Sequence, residues 1–271
     1  MAYIALVASC ALGQQRGCLN WTNPSICNAY CSLDHFVYNK CNESHTWNMS
    51  AVTKTPEMFA LAPSFNGDIS KWDMQKVNDM MAMFTGATLF NSNISAWNTE
   101  NVEDMTSMFD SAISFNQDVS GWDVSKVVFM RNMFYNTTFN KNISKWNVSG
   151  VIDMSGMFEH TSKFNQDISK WDVANVFSTE YMFAHATSFN QDISGWTIGV
   201  NRDPSSINTL GMFNNATAFL NHEGGCRHYK TAMAFNASTH GLFCAQNSEC
   251  NTSYFACGSC DVCTHAHTEK K

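Results

Sequence analysis

A few groups of residues in this 271-residue chain have types and spacings that could do chemistry. Cys257, Cys260 and Cys263 fall at three-residue steps with His265 and His267 just beyond. Thiolates and imidazoles so closely spaced suit tetrahedral zinc. Asp68, Asp118, Asp167 and Asp192 recur in one register, and stacked carboxylates would supply the clustered oxygens that Ca²⁺ prefers. The run His222-Glu-Gly-Gly-Cys226-Arg-His228 sets a thiol between two imidazoles, the pairing an activated cysteine nucleophile uses. Each has a plainer reading. The cysteines serve as disulfide partners, Asn93 and Asn142 dilute the aspartate column, and His160 and His185 share a register with no matching carboxylate or nucleophile. No nucleophile elbow, P-loop or HExxH zinc motif occurs. The sequence therefore implies no catalytic residue, no metal and no cofactor, and the chain is expected not to be an enzyme.

Modification is the stronger chemical signal. Asn-x-Ser/Thr acceptors occur at Asn20, Asn42, Asn48, Asn93, Asn136, Asn142, Asn147, Asn215, Asn236 and Asn251. Asn93 and Asn142 stand in the column of Asp68 and Asp118, and Asn48 and Asn147 in that of Asp73, Asp123 and Asp172. A glycan cannot be buried, so both columns should face solvent. The column Asn66, Asn91, Asn116, Asn140, Asn165 and Asn190 never forms an acceptor. It is expected to be an inward asparagine ladder, each amide bonding to backbone or to its stacked neighbour, because a buried amide needs partners. A surface turn in left-handed conformation is the alternative.

These columns exist because the chain repeats. Trp47, Trp72, Trp97, Trp122, Trp146, Trp171 and Trp196 are spaced by 25 residues, with one step of 24. The pairs Met58-Phe59, Met83-Phe84, Met108-Phe109, Met133-Phe134, Met157-Phe158 and Met182-Phe183 keep that step, and Met212-Phe213 follows an insertion carrying Pro204. Such a period marks units that bury their apolar faces only against their neighbours. Val102, Met105, Met108, Phe109 and Ala112 recur at steps that suit one face of a short helix. The other half, as in 167–173, carries β-branched and aromatic residues between polar ones and suits a short strand. The expected fold is thus an α/β right-handed solenoid of about seven coils, one strand and one helix each. Seven stacked strands would span on the order of 30 to 35 Å.

The pattern MFxxAxxFNxDISxWDVxxVxDM, as in Met108 to Met130, resembles the 25-residue repeat of BspA-like surface proteins and mycoplasma lipoproteins, itself related to leucine-rich repeats. The resemblance covers about two-thirds of the chain. It implies a leucine-rich-repeat-like, surface-exposed solenoid used in adhesion or surface structure, with no common catalytic residues to carry over. Thr55 and Thr179 replace the first methionine of their units, and one residue is missing near Thr137.

Four segments follow: 1–13, 14–46, the repeats at 47–221, and 222–271. The first, MAYIALVASCALG, has the apolar length of a secretory signal but no basic start. It reads either as a signal peptide or as a retained apolar strand able to add to a neighbouring copy. Cys18, Cys27, Cys31 and Cys41 precede the repeats, and Cys226, Cys244, Cys250, Cys257, Cys260 and Cys263 follow them. Even counts in an exported chain imply disulfide-rich end modules of unsettled pairing. If the first segment is retained, Cys10 is left as a candidate for an intermolecular bridge. A net charge of −7 with 16 Lys+Arg offers no basic stripe for nucleic acid. Nor is any stretch long enough to span a membrane. The expectation is a secreted or cell-surface glycoprotein of a eukaryotic secretory pathway, a structural subunit that self-associates head to tail into a filament. The alternative is a monomeric adhesin that binds a ligand on one face.

Overall fold

The computed structural model describes residues 48–221. Trp47, every cysteine, and the acceptors Asn20, Asn42, Asn236 and Asn251 lie outside the described residues.

One coil shows how this sequence folds. Met105, Ser107, Phe109 and Ser111 each donate their backbone N–H to the next coil, to the carbonyls of Phe129, Arg131, Met133 and Tyr135. The residues between them close turns on their own coil, Met108 onto Met105, Asp110 onto Ser107 and Ala112 onto Phe109. The backbone alternates because Ser107 and Ser111 hold φ of 54° and 57°, in the left-handed region. The same two columns are left-handed in each coil, from Glu57 and Leu61 to Gly211 and Asn215. A buried backbone needs every donor placed, and here alternate donors leave for the neighbour while the rest stay at home.

The expected α/β solenoid of one strand and one helix per coil is therefore corrected. Among the described residues, the regular elements are a 3-10 turn, Pro204–Ser206, and a one-turn helix, α1, Thr217–Asn221. The three-residue spacing taken for a helix face comes from successive turns, whose first and fourth residues both point inward. An α-helix would need N–H groups bonding four residues back; in this stack alternate ones bond to the next coil. The half expected as a strand also turns: Asp167 accepts the N–H of Ser169, Trp171 donates to the Ile168 carbonyl, and Asp172 accepts the N–H of Ala174. Among the described residues, the β contacts are six isolated parallel bridges, linking Lys54, Asp79, Asp104, Phe129, Asp153, Ser178 and Asn208 in succession. They fall in the half that the apolar spacing assigns to a helix.

Stacked aromatics fill the interior. Trp72, Trp97, Trp122, Trp146, Trp171 and Trp196 form one column, with ring centroids 6.2–6.5 Å apart in the pairs Trp72–Trp97, Trp97–Trp122, Trp146–Trp171 and Trp171–Trp196. Each indole from Trp97 onward donates its Nε1–H to a carbonyl one coil below, as Trp122 does to Ile94. Two phenylalanine columns interleave beside it: Phe109 lies 3.7 Å from Phe115 within its coil and 5.7 Å from Phe134 in the next. Buried methionines such as Met105, Met108, Met130 and Met133 complete the core, where a flexible thioether fills gaps between rings.

Where the repeat varies, the packing adjusts. Thr137 and Thr161 take the place of the alanine at position Ala112, and both hydroxyls donate to the Phe134 carbonyl beside the one-residue deletion. Thr55 stands in a methionine column and donates to the Asp79 carbonyl. Thr179, in the same column, is buried with no hydroxyl partner. The insertion in the last coil forms an exposed excursion that carries the 3-10 turn, capped by Asp203.

Candidate modification and interaction surface

Three side-chain columns fix the outer corners of most coils. In the first, Asp68, Asn93, Asp118, Asn142, Asp167 and Asp192 each accept the N–H of the serine two residues on. In the second, Asn48, Asp73, Asn98, Asp123, Asn147 and Asp172 each accept the N–H of the residue two on, whether Ser50, Gln75, Glu100, Ser125, Ser149 or Ala174. The third runs through Asp79, Asp104, Asp153 and Asn208. Asp and Asn side chains imitate a backbone turn in this way, which is why either serves in the repeat. Hydrogen bonds from Ser120 and Ser169 hold the Asp118 and Asp167 carboxyls below the usual range. The aspartates considered for Ca²⁺ thus each carry a local turn. Among the described residues, no group of three or more His, Cys, Asp or Glu side chains is placed to hold a metal ion.

Asn48, Asn93, Asn136, Asn142, Asn147 and Asn215 are all exposed. In Asn48, Asn93, Asn142 and Asn147 it is Oδ1 that accepts the turn hydrogen bond. An N-linked sugar would join at Nδ2 and leave that acceptor in place. Asn136 and Asn215 occupy left-handed corners, with φ of 52° and 56°.

The asparagine column forms a ladder at the surface margin. Oδ1 of Asn66 accepts the backbone N–H of Asn91, and the pattern continues through Asn116, Asn140 and Asn165 to Asn190. The distances are 2.8–3.0 Å. Its residues are half-buried or exposed, not inward as expected. The amide column serves the backbone of the next coil at the rim, while Phe65, Phe90 and Phe115, one position earlier, occupy the interior.

Other contacts are not legible from the spacing alone. His160 and His185 stack at 4.3 Å between centroids, and Tyr135 meets His160 edge-on at 5.7 Å. Partial burial, and then the neighbouring His185, lower the His160 pKa. Burial and the Glu180 charge raise that of Glu159. On the bridged face, Val128, Ile152, Phe177 and Ile207 stack one above another, half-exposed, with Phe129 39% exposed beside them. Their sequence signal is a single apolar residue two places after Lys126, Gly150, Asn175 and Ser205, easily lost among the stronger core positions.

These coils define a tandem-repeat protein whose units bury one another and whose corners are set by Asp and Asn turns. The family model described as "Mycoplasma protein of unknown function, DUF285" matches residues 32–138 and again 117–225, and the chain belongs to that family. No curated protein matches the chain. No solved structure matches it either. No helix among the described residues is long and apolar enough to cross a membrane.

Proposed function

We propose that the chain is an extracellular, N-glycosylated structural protein whose repeat stack is a subunit of a surface filament or coat, joined head to tail. The observation that carries the reading is the placement of the acceptor asparagines. All six among the described residues are exposed, and four use only Oδ1 in their turns. The buried columns carry none. A sugar sheath on three corners leaves the tips of the stack for contact, and the tips are unlike. In the segment 105–111, alternate donors point toward the following coil, so the stack has a direction. Unlike ends joined by one repeated contact give an open filament when the rotation does not close. The cysteine-bearing segments beyond each end would form the joints, and Cys10 would supply a bridge between copies if the leader is retained. Self-association, the glycans and the extracellular address are parts of this one reading, as is the absence of catalysis.

The second reading, a monomeric adhesin, is favoured by the bridged face, which bears Phe129 and Phe177 and lacks any acceptor. Negative-stain images of purified, non-reduced protein separate the two. Filaments are expected; single short rods at all concentrations would favour the adhesin.

A further inference from the structure

We infer that the bridged face pairs two copies of this chain side by side, parallel, about a two-fold axis that runs along the stack. The inference goes beyond the end-to-end joining above and does not depend on it. The apolar stripe of Val128, Ile152 and Phe177 is held in register by backbone bonds, Ile152 N–H to the Val128 carbonyl and Phe177 N–H to that of Ile152. Its two flanks differ in charge. Two residues before the stripe stands Lys126, exposed and braced by a 2.7 Å bond to Asn101 Oδ1 one coil below. One residue after it stands the bridge column Asp104, Phe129, Asp153. Around Val128 the stripe therefore has one cation, Lys126, on one side, with Gly150 and Asn175 in its place in the next two coils, and the carboxylates of Asp104 and Asp153 on the other.

That asymmetry selects the partner and its orientation. Turning a second copy about a horizontal axis, antiparallel, would lay the lysine side on the lysine side. Turning it about the stack axis lays the lysine side on the aspartate side and each stripe residue on its own counterpart, an isologous contact. At one level the partner copy's Lys126 then meets the exposed Phe129 ring, with Asp104 one coil below and Asp153 one coil above. A cation over an aromatic face between two carboxylates is a favourable site. The acceptor asparagines stand in other columns, so sugars are not placed on the stripe. Glu103, exposed in the stripe's own column one coil below Val128, would face its counterpart and marks where the contact ends.

The test uses the full chain with Ile152→Cys, oxidised mildly and digested. In the paired arrangement residue 152 lies against its own copy, so a 152-to-152 disulfide peptide is expected in most of the material. Adding the surface change Lys126→Glu should lower the yield of that peptide several-fold at moderate salt, with the circular dichroism unchanged. Absence of the 152-to-152 peptide, or a yield indifferent to Lys126→Glu, overturns the proposal. Because this readout is local, it is the same in single rods and in filaments, so lateral pairing and end-to-end joining stand or fall separately.

Discussion

Side-chain oxygens that accept backbone N–H groups, two residues on at the corners and one coil on in the asparagine ladder, are the recurring device of this molecule, and their strength is open to measurement. Asn116 Oδ1 accepts the N–H of Asn140 across coils at 2.9 Å. Removing the acceptor leaves that donor unmatched, so Asn116→Ala should cost about 1–2 kcal/mol in denaturant unfolding. The exposed corners should behave more mildly. Asp118→Asn keeps the turn and should change stability little at neutral pH, though it abolishes the acid sensitivity of that corner. The carboxyl is held below its unfolded value. Its contribution is therefore present above the ordinary aspartate range and lost as pH falls through the folded pKa.

His160 shows the histidine case. Its folded pKa is lowered, so below about pH 6.5 the unfolded chain takes up a proton that the folded one resists. Stability should fall on acidification through that range. Glu159, raised by burial and by Glu180, works in the opposite sense, since its protonation favours the fold at low pH. His160→Gln should accordingly flatten the melting temperature profile as pH falls through the ordinary histidine range.

At the scale of the coil, the left-handed corners decide which residues fit. Ala82 holds φ of 54°, where an L side chain is strained. Ala82→Gly should stabilise by up to about 1 kcal/mol. Gly156 occupies the same column at φ 62°, and a Cβ there would sit 2.0 Å from Asn132 Oδ1. Gly156→Ala should therefore cost about 1–2 kcal/mol from strain alone, with displacement of Asn132 in addition. Thermal melts of the two single variants test the pair. This is also where the sequence misleads. The period, the buried Trp and Phe columns and the exposed acceptors are all legible, because each repeats with the same residue type. The backbone path is not. Met105, Met108 and Phe109 satisfy a helical spacing as well as a chain of turns, and the choice lies in where the N–H groups of Ser107 and Phe109 go, a property of the neighbouring coil. Ser107 and Ser111 give no warning of a positive φ, since glycine stands there in only a few coils. The inward asparagine ladder failed for a related reason: an amide can be conserved in register by its service to the adjacent backbone without being buried.

For the whole molecule, nearest-neighbour stacking sets the energetics. Each coil contacts the one before and the one after, so stability is a sum of coil and interface terms. Trp122 stacks on Trp97 and Phe109 and also donates to the Ile94 carbonyl. Trp122→Ala should cost about 3–5 kcal/mol and split unfolding into two transitions as the halves decouple. Differential scanning calorimetry would show one broadened or two resolved peaks in place of one.

The proposed function makes the stack a scaffold that carries sugar at its exposed corners. Its most direct test is enzymatic removal of N-glycans in heavy-oxygen water, with peptide mass spectrometry of protein from its natural source. The account predicts heavy-oxygen aspartate at Asn93, Asn136, Asn142 and Asn147, and none at Asn66, Asn91, Asn116, Asn140, Asn165 or Asn190. Unmodified asparagine throughout the first set would contradict it.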